Sequence, residues 1–188
     1  CVDKTFPNYW KLIQDIGLHI TPIKKEFDMK KIALIGMPGS GKSTLGKLLQ
    51  KKLGFDFYDL DDMIVESEDE KIQNVRQIID ENGWEYFRNK EFKNLQKVIS
   101  IQTKFFTCVS TGGGIIENEL SRDLLEDFVV ILIRRNNLEI GERRLSDSLE
   151  NLFKKRNIYY ENLADFIYDN NSSEEDFIKW IKVILNNH

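Results

Sequence analysis

Eight consecutive residues, Gly36-Met37-Pro38-Gly39-Ser40-Gly41-Lys42-Ser43, fit the pattern G-x-x-x-x-G-K-[ST] without exception, and Thr44 follows. This spacing suits phosphate chemistry. A strand-like run precedes it and a helix-like run follows, so successive backbone N–H groups and a helix N-terminus can point at phosphate oxygens. The glycines are required because a Cβ would hold the backbone away from the ligand or force an unfavourable φ. Lys42 would reach the β and γ phosphates, and the Ser43 hydroxyl would ligate Mg²⁺. An accidental Gly-rich turn is the competing reading, and the flanking elements weigh against it.

The acceptor of the phosphoryl group must come from elsewhere in the chain. Asn89-Lys90-Glu91-Phe92 lacks the final Asp of a guanine-reading N-K-x-D segment, and the two histidines, His19 and His188, leave no H-R-D loop. A small-molecule kinase remains. Asp59-Leu60-Asp61 falls at the end of the second predicted strand, where open α/β sheets bind ligands. One carboxylate could hold the Mg²⁺ hydration shell and the other could draw the proton from a substrate hydroxyl; a helix N-cap with a charged first turn is the alternative. Arg88 and Glu91 share a helix face at i, i+3, either as a surface ion pair or as a guanidinium oriented to clasp a substrate carboxylate. Gly112-Gly113-Gly114 after a strand would allow close backbone approach to a ligand, or makes a plain tight turn.

These residues need a scaffold, and the chain after Met29 alternates short apolar runs with amphipathic stretches, as parallel sheets with crossover helices do. Strands are expected at 31–35, 55–58, 105–109, 128–133 and 166–168. Helices are expected at 43–53, 61–66, 74–79, 84–99, 138–156 and 173–185. With 188 residues, 41 % hydrophobic and 31 % charged, the composition is that of one globular domain. The 27 Lys+Arg against 31 Asp+Glu give a net charge of −4, and no basic stripe suggests a nucleic-acid surface. No apolar run approaches the ~20 residues needed to span a bilayer. Cys1 and Cys108 form no CxxC, which fits a reducing compartment, and the chain is expected in the cytoplasm.

Together, GMPGSGKST, DLD, EYFRNKE, STGGG and KRNIYYENLAD make the stretch from Met29 to about Trp180 resemble shikimate kinase, a P-loop enzyme of the nucleoside-monophosphate-kinase type that phosphorylates the 3-hydroxyl of shikimate with MgATP. The resemblance implies a three-layer α/β fold: a five-stranded parallel sheet in order 2-3-1-4-5 flanked by helices, with a shikimate-binding helical subdomain around residues 60–93 and a mobile lid after the fourth strand. It implies that Gly36, Gly39, Ser40, Gly41, Lys42, Ser43 and Thr44 bind ATP. Asp61 would hold the substrate hydroxyls and act as base, and Ser43 and Asp59 would lie at Mg²⁺. Arg88 and Arg156 would grip the shikimate carboxylate, with Gly112, Gly113 and Gly114 beside it and Glu91 orienting Arg88. Arg143, with Arg144 as a near-equal alignment, would be the lid arginine that joins Lys42 in neutralising the transferring phosphoryl group. The lid departs from the usual R-P-L-L, and Ile158 replaces a common proline, for which tight apolar packing would suffice as a reason. A gluconate-kinase-like enzyme and a non-catalytic nucleotide-binding module are the alternatives.

Residues 1–28 lie outside that pattern and carry no signal-peptide features. Cys1 to Leu18, with Lys4-Thr5-Phe6-Pro7 and a short amphipathic run from Trp10, resembles the C-terminal end of enolpyruvylshikimate phosphate synthase (EPSP synthase). The first methionine is Met29, so the expectation is a fusion in which residues 1–28 are a leader or linker from an upstream synthase and 29–188 form the kinase domain. An unrelated linker or cloning-derived leader is the alternative.

Overall fold

The computed structural model describes residues 31–103, 105–135 and 147–186. Strands β1 (Lys31–Ile35), β2 (Asp56–Asp59), β3 (Thr107–Ser110), β4 (Val129–Arg134) and β5 (Phe166–Asp169) form one parallel sheet in the order β2-β3-β1-β4-β5, as expected. The helices are α1 (Lys42–Leu53), α2 (Leu60–Glu66), α3 (Val75–Ser100), α4 (Glu119–Leu125), α5 (Asp147–Leu163) and α6 (Glu174–Asn186).

The period-two alternation of the strands divides the core into two layers. Ile32 and Leu34 of β1, with Cys108 and Ile131, pack against Leu45, Leu48 and Leu49 of α1 and Phe177 and Ile181 of α6. Ala33 and Ile35, with Val109, Val130 and Leu132, pack on the other face against Leu60, Leu95, Leu125 and Tyr160. Both faces are therefore covered, which is what an all-parallel sheet requires. A third, smaller cluster of Ile64, Ile78 and Phe87 gives α2 and the first part of α3 a core of their own, and the Lys90–Glu68 ion pair at 2.7 Å ties the segment just after α2 to α3. This is the helical subdomain expected around 60–93.

The third strand, the fifth helix and the packing expected of Ile158 depart from the sequence reading. The third strand begins at Thr107 rather than 105, because Phe105 is 64 % exposed and the Phe106 carbonyl instead accepts from Asp56 N at the sheet edge. Within the described residues the helix read as ending at 156 runs Asp147–Leu163; residues 136–146, with the expected helix start, the expected lid, Arg143 and Arg144, lie outside the described residues. Ile158 is 64 % exposed, so tight packing does not explain it. The interruption expected between 79 and 84 is present as a break in α3 at Gly83 (φ 84°). Among the described residues no helix is long and apolar enough to cross a membrane. Residues 1–28 lie outside the described residues.

Candidate active site

The C-terminal ends of β1, β2 and β3 deliver the three segments that carry chemistry. Register fixes their relation: Asp59 is paired with Ser110, and Ser110 with Leu34. The loop after β1 turns through Gly36 (φ 141°), Gly39 (φ 79°) and Gly41 (φ 101°) into α1. A Cβ on Gly36 would meet the Ile133 carbonyl of the neighbouring strand, backbone that cannot step aside, so both φ and space demand glycine there. The α1 N-terminus has no side-chain cap and no acidic residue in its first turn. Its first amides are thus open to an anion. Lys42 curls back over this loop, donating to the carbonyls of Gly36 and Met37 at 2.9 Å each. Burial pulls its pKa from the usual 10.5 down to about 8, against the opposing pull of Asp61 and Asp59. The Ser40 hydroxyl is buried in the loop without a hydrogen-bond partner.

Across from the loop, Asp59 caps α2 by accepting from Asp61 N at 3.1 Å. The capping alternative for this pair is therefore real for Asp59, and it leaves the Asp61 side chain to a different environment. Asp61 Oδ1 is buried without a partner, and burial, reinforced by the charge of Asp59, pushes this carboxyl from 3.8 up to about 6. Ser43 Oγ lies 3.3 Å from Ser110 Oγ. Two hydroxyls and the Asp59 carboxylate, all hard oxygens, therefore sit at the ends of adjacent elements.

Beside the glycine triplet that follows β3, helix α3 adds a pair built on charge. Arg88 is hydrogen-bonded through NH1 to the fully buried Glu91, one turn on in α3, and stacks over the Trp84 ring at 5.1 Å. With its side chain 15 % exposed, this pair is partly buried rather than superficial. Burial raises Glu91 from 4.5 to about 7 in spite of Arg88. Its Oε1 is unpartnered. A Cβ on Gly112 would strike Glu91 Oε1 and approach Asp61 Oδ1 to 3.1 Å, one on Gly113 would come within 2.6 Å of Pro38 Cδ, and one on Gly114 would collide with the Arg88 guanidinium. None of the three has a positive φ. The triplet is thus a thin wall on which Asp61, Glu91, Arg88 and the phosphate loop all close, rather than a turn forced by backbone geometry. From α5, buried Arg156 donates through Nε to Glu117 at 3.2 Å, and Arg88 NH2 reaches the other Glu117 oxygen at 3.0 Å.

A protein-family model described as shikimate kinase matches residues 38–185. The chain belongs to the shikimate kinase family. It is 34 % identical over 185 residues to a pentafunctional AROM polypeptide of Schizosaccharomyces pombe, covering 85 % of this chain and 12 % of that polypeptide. It is 38 % identical over 137 residues to a pentafunctional AROM polypeptide of Komagataella phaffii, covering 67 % of this chain and 8 % of that one. The chain therefore spans a small fraction of these curated relatives. Among solved structures, shikimate kinase from Aquifex aeolicus superposes with a TM-score of 0.69 at 30 % identity, covering 83 % of this chain and 96 % of that one. Shikimate kinase from Acinetobacter baumannii, solved with shikimate, shares the fold with the same TM-score at 24 % identity, covering 85 % of this chain and 95 % of that one.

Of the site residues expected for this family, the fold brings together the loop residues from Gly36 to Thr44 with Asp59, Asp61, Arg88, Glu91, the three glycines and Arg156. Four further residues join them to which the sequence reading assigned no role. Ser110 faces Ser43; Glu117 joins the two arginines; Tyr160 donates to the Gly113 carbonyl and lies 3.9 Å from Met37 Sδ; and Asn170 donates to the Ser40 carbonyl at 2.8 Å. Ser110 and Tyr160 stand within segments that carry the family resemblance. Glu117 and Asn170 lie just beyond such segments and had no local signal.

Proposed function

We propose that this chain transfers the γ-phosphoryl group of ATP to the 3-hydroxyl of shikimate, giving shikimate 3-phosphate and ADP in aromatic amino acid biosynthesis. The observation that carries this reading is the convergence, beside a phosphate-binding loop, of two guanidiniums and an unpartnered carboxylate oxygen: Arg88, Arg156 and Asp61. A ligand with a carboxylate at one end and hydroxyls at the other satisfies both. Arg88 and Arg156 grip the carboxylate and thereby direct the hydroxyl toward Asp61. Asp61 takes the proton as the hydroxyl oxygen bonds to the γ phosphorus and the bond to the β-phosphate oxygen breaks. Lys42 leaves the loop carbonyls for the phosphate oxygens, whose negative charge favours its protonated form. Arg143, after the fourth strand, is the lid arginine of this reading.

The hard-oxygen set of Ser43, Ser110 and Asp59 suits Mg²⁺, which keeps several waters and takes few protein ligands beside phosphates. Ser43 and Asp59 would hold it, and bound with ATP it supplies neutralisation of phosphate charge.

An ADP-release assay with shikimate and gluconate in parallel tests the reading. Turnover with shikimate alone is expected; turnover with gluconate alone, or nucleotide binding without turnover, overturns it. In the same assay Arg88→Ala should raise the shikimate KM roughly tenfold to hundredfold, the worth of a charge-assisted hydrogen bond, with the ATP KM nearly unchanged. An equal loss for both ligands would contradict the assigned role.

We further propose that residues 1–28 are a leader or linker whose first eighteen residues are the C-terminal tail of an upstream EPSP synthase domain, in a polypeptide that acts in the cytoplasm. The pentafunctional relatives support a fused arrangement, and Lys4-Thr5-Phe6-Pro7 supports the synthase as the neighbour. Sequencing the gene upstream of Cys1 should reveal a continuous synthase reading frame; a start codon or vector sequence there ends the idea.

A further inference from the structure

Glu117 belongs to no motif of the chain, yet among the described residues it is the one hydrogen-bonded to both arginines assigned to the substrate carboxylate. Its two carboxylate oxygens are divided between them, Oε2 to Arg88 NH2 at 3.0 Å and Oε1 to Arg156 Nε at 3.2 Å. The arginines come from different elements, α3 and α5, 29 and 39 residues away in sequence. Two guanidiniums drawn to one spot repel each other, and a carboxylate between them offsets that repulsion. The arginines answer in kind. Burial would push the Glu117 carboxyl up, but the hydrogen bond from Arg156 and the charges of both arginines outweigh it and hold the group below the usual carboxylate range.

The backbone that presents Glu117 is fixed. It ends a short 3₁₀ turn, Ile115–Glu117, whose Ile115 and Ile116 are fully buried. Glu117 N donates to the Gly114 carbonyl at 3.0 Å, and Arg122 NH1 donates to the Ile116 carbonyl at 2.8 Å. Asn118, the next residue, caps α4. Glu117 is therefore held on the same rigid turn as the glycine wall. The arginines are the long, adaptable partners.

We propose that Glu117 is the positioning residue that sets the spacing and orientation of Arg88 and Arg156 for a ligand carboxylate, acting with Glu91 to hold Arg88 from two sides. This rests on the shikimate reading above. Each guanidinium carries five N–H donors, and Glu117 engages one nitrogen of each, so it clamps the pair while leaving donors for a second carboxylate. The consequence is a specific kinetic signature. Loss of the clamp weakens the binding of the acid substrate and leaves the phosphate loop, which shares no hydrogen bond with Glu117, as it was.

Steady-state kinetics of wild type, Glu117→Ala and Glu117→Gln, with thermal unfolding of each, test this. The shikimate KM of Glu117→Ala should rise about tenfold or more, with kcat and the ATP KM within about threefold of wild type. Glu117→Gln, which keeps one acceptor oxygen and loses the charge, should fall between. An unchanged or lowered shikimate KM in either folded variant overturns the proposal, as does an equal rise in the ATP KM. Should Glu117→Ala fail to fold, the rise or constancy of the shikimate KM in Glu117→Gln decides. A wild-type enzyme that leaves shikimate unphosphorylated overturns both readings, whereas an active wild type matched by its Glu117 variants overturns this one alone.

Discussion

Asp61→Asn is expected to lower kcat by about 10²–10⁴, the usual contribution of a positioned general base, while making the protein more stable. The two effects share one cause. Asp61 is half-buried beside Asp59 with its Oδ1 fully enclosed, and desolvation first, then that neighbouring charge, raises its pKa from 3.8 to about 6. A carboxyl so placed is a better proton acceptor than an exposed one, yet it is still ionised at neutral pH, which is the compromise a base requires. The wild-type rate should therefore fall as pH drops below about 6, and the variant should lack that limb. The sign for stability follows from linkage. Between the unfolded and folded pKa values the folded state holds more protons, so stability declines as pH rises through that window, and above it the full cost is present. That cost is roughly 3 kcal/mol as an upper bound. Removing the charge should raise Tm by several degrees at pH 8 and by almost nothing below pH 4. A variant with wild-type kcat, or one whose Tm gain does not grow with pH, would count against Asp61 as the base.

How much of this could be read before folding depended on how far apart the cooperating residues lie in the chain. The phosphate loop was legible because its chemistry is made by contiguous backbone, and Gly36, Gly39 and Gly41 are the residues whose positive φ that backbone demands. Arg88 and Glu91 were legible because a helix brings i and i+3 together whatever surrounds it. Their burial was not, and burial is what turns a surface ion pair into a site component. The strand order came from family resemblance, since alternating elements specify a parallel sheet without specifying its permutation. Glu117 and Asn170 carry no local mark, because their partners are 29 to 130 residues away. Phe105 failed for a related reason: an aromatic next to a strand reads as strand, but the register of β2 on β3 leaves it outside the ladder.

Lys42→Met should be nearly as damaging as loss of Asp61, and its pH profile should show that the two residues form one electrostatic unit. Removing the ammonium takes away the cation that reaches the transferring phosphoryl group, a loss of about 10²–10³ in kcat by analogy with other preorganised donors. The rise in Tm that MgATP gives the wild type should shrink to little or nothing, since binding to the folded state alone produces it. The remaining activity is the more informative quantity. Lys42 holds the Asp61 pKa down while Asp59 holds it up; with Lys42 gone, Arg88 alone among the described residues opposes burial, Asp59 and Asp62. The acidic limb of the residual activity should then move to a pH above 6, whereas a neutral substitution remote from Asp61 would leave it in place. The same coupling runs in reverse, because Asp61 is the largest of the charges that keep the buried Lys42 from losing its proton more readily. Asp61→Asn should accordingly bring the lysine's deprotonation closer to neutrality and weaken ATP binding at pH 8 more than at pH 6. A limb that stays near pH 6 in Lys42→Met would separate the two residues and place the raised pKa of Asp61 wholly in its burial.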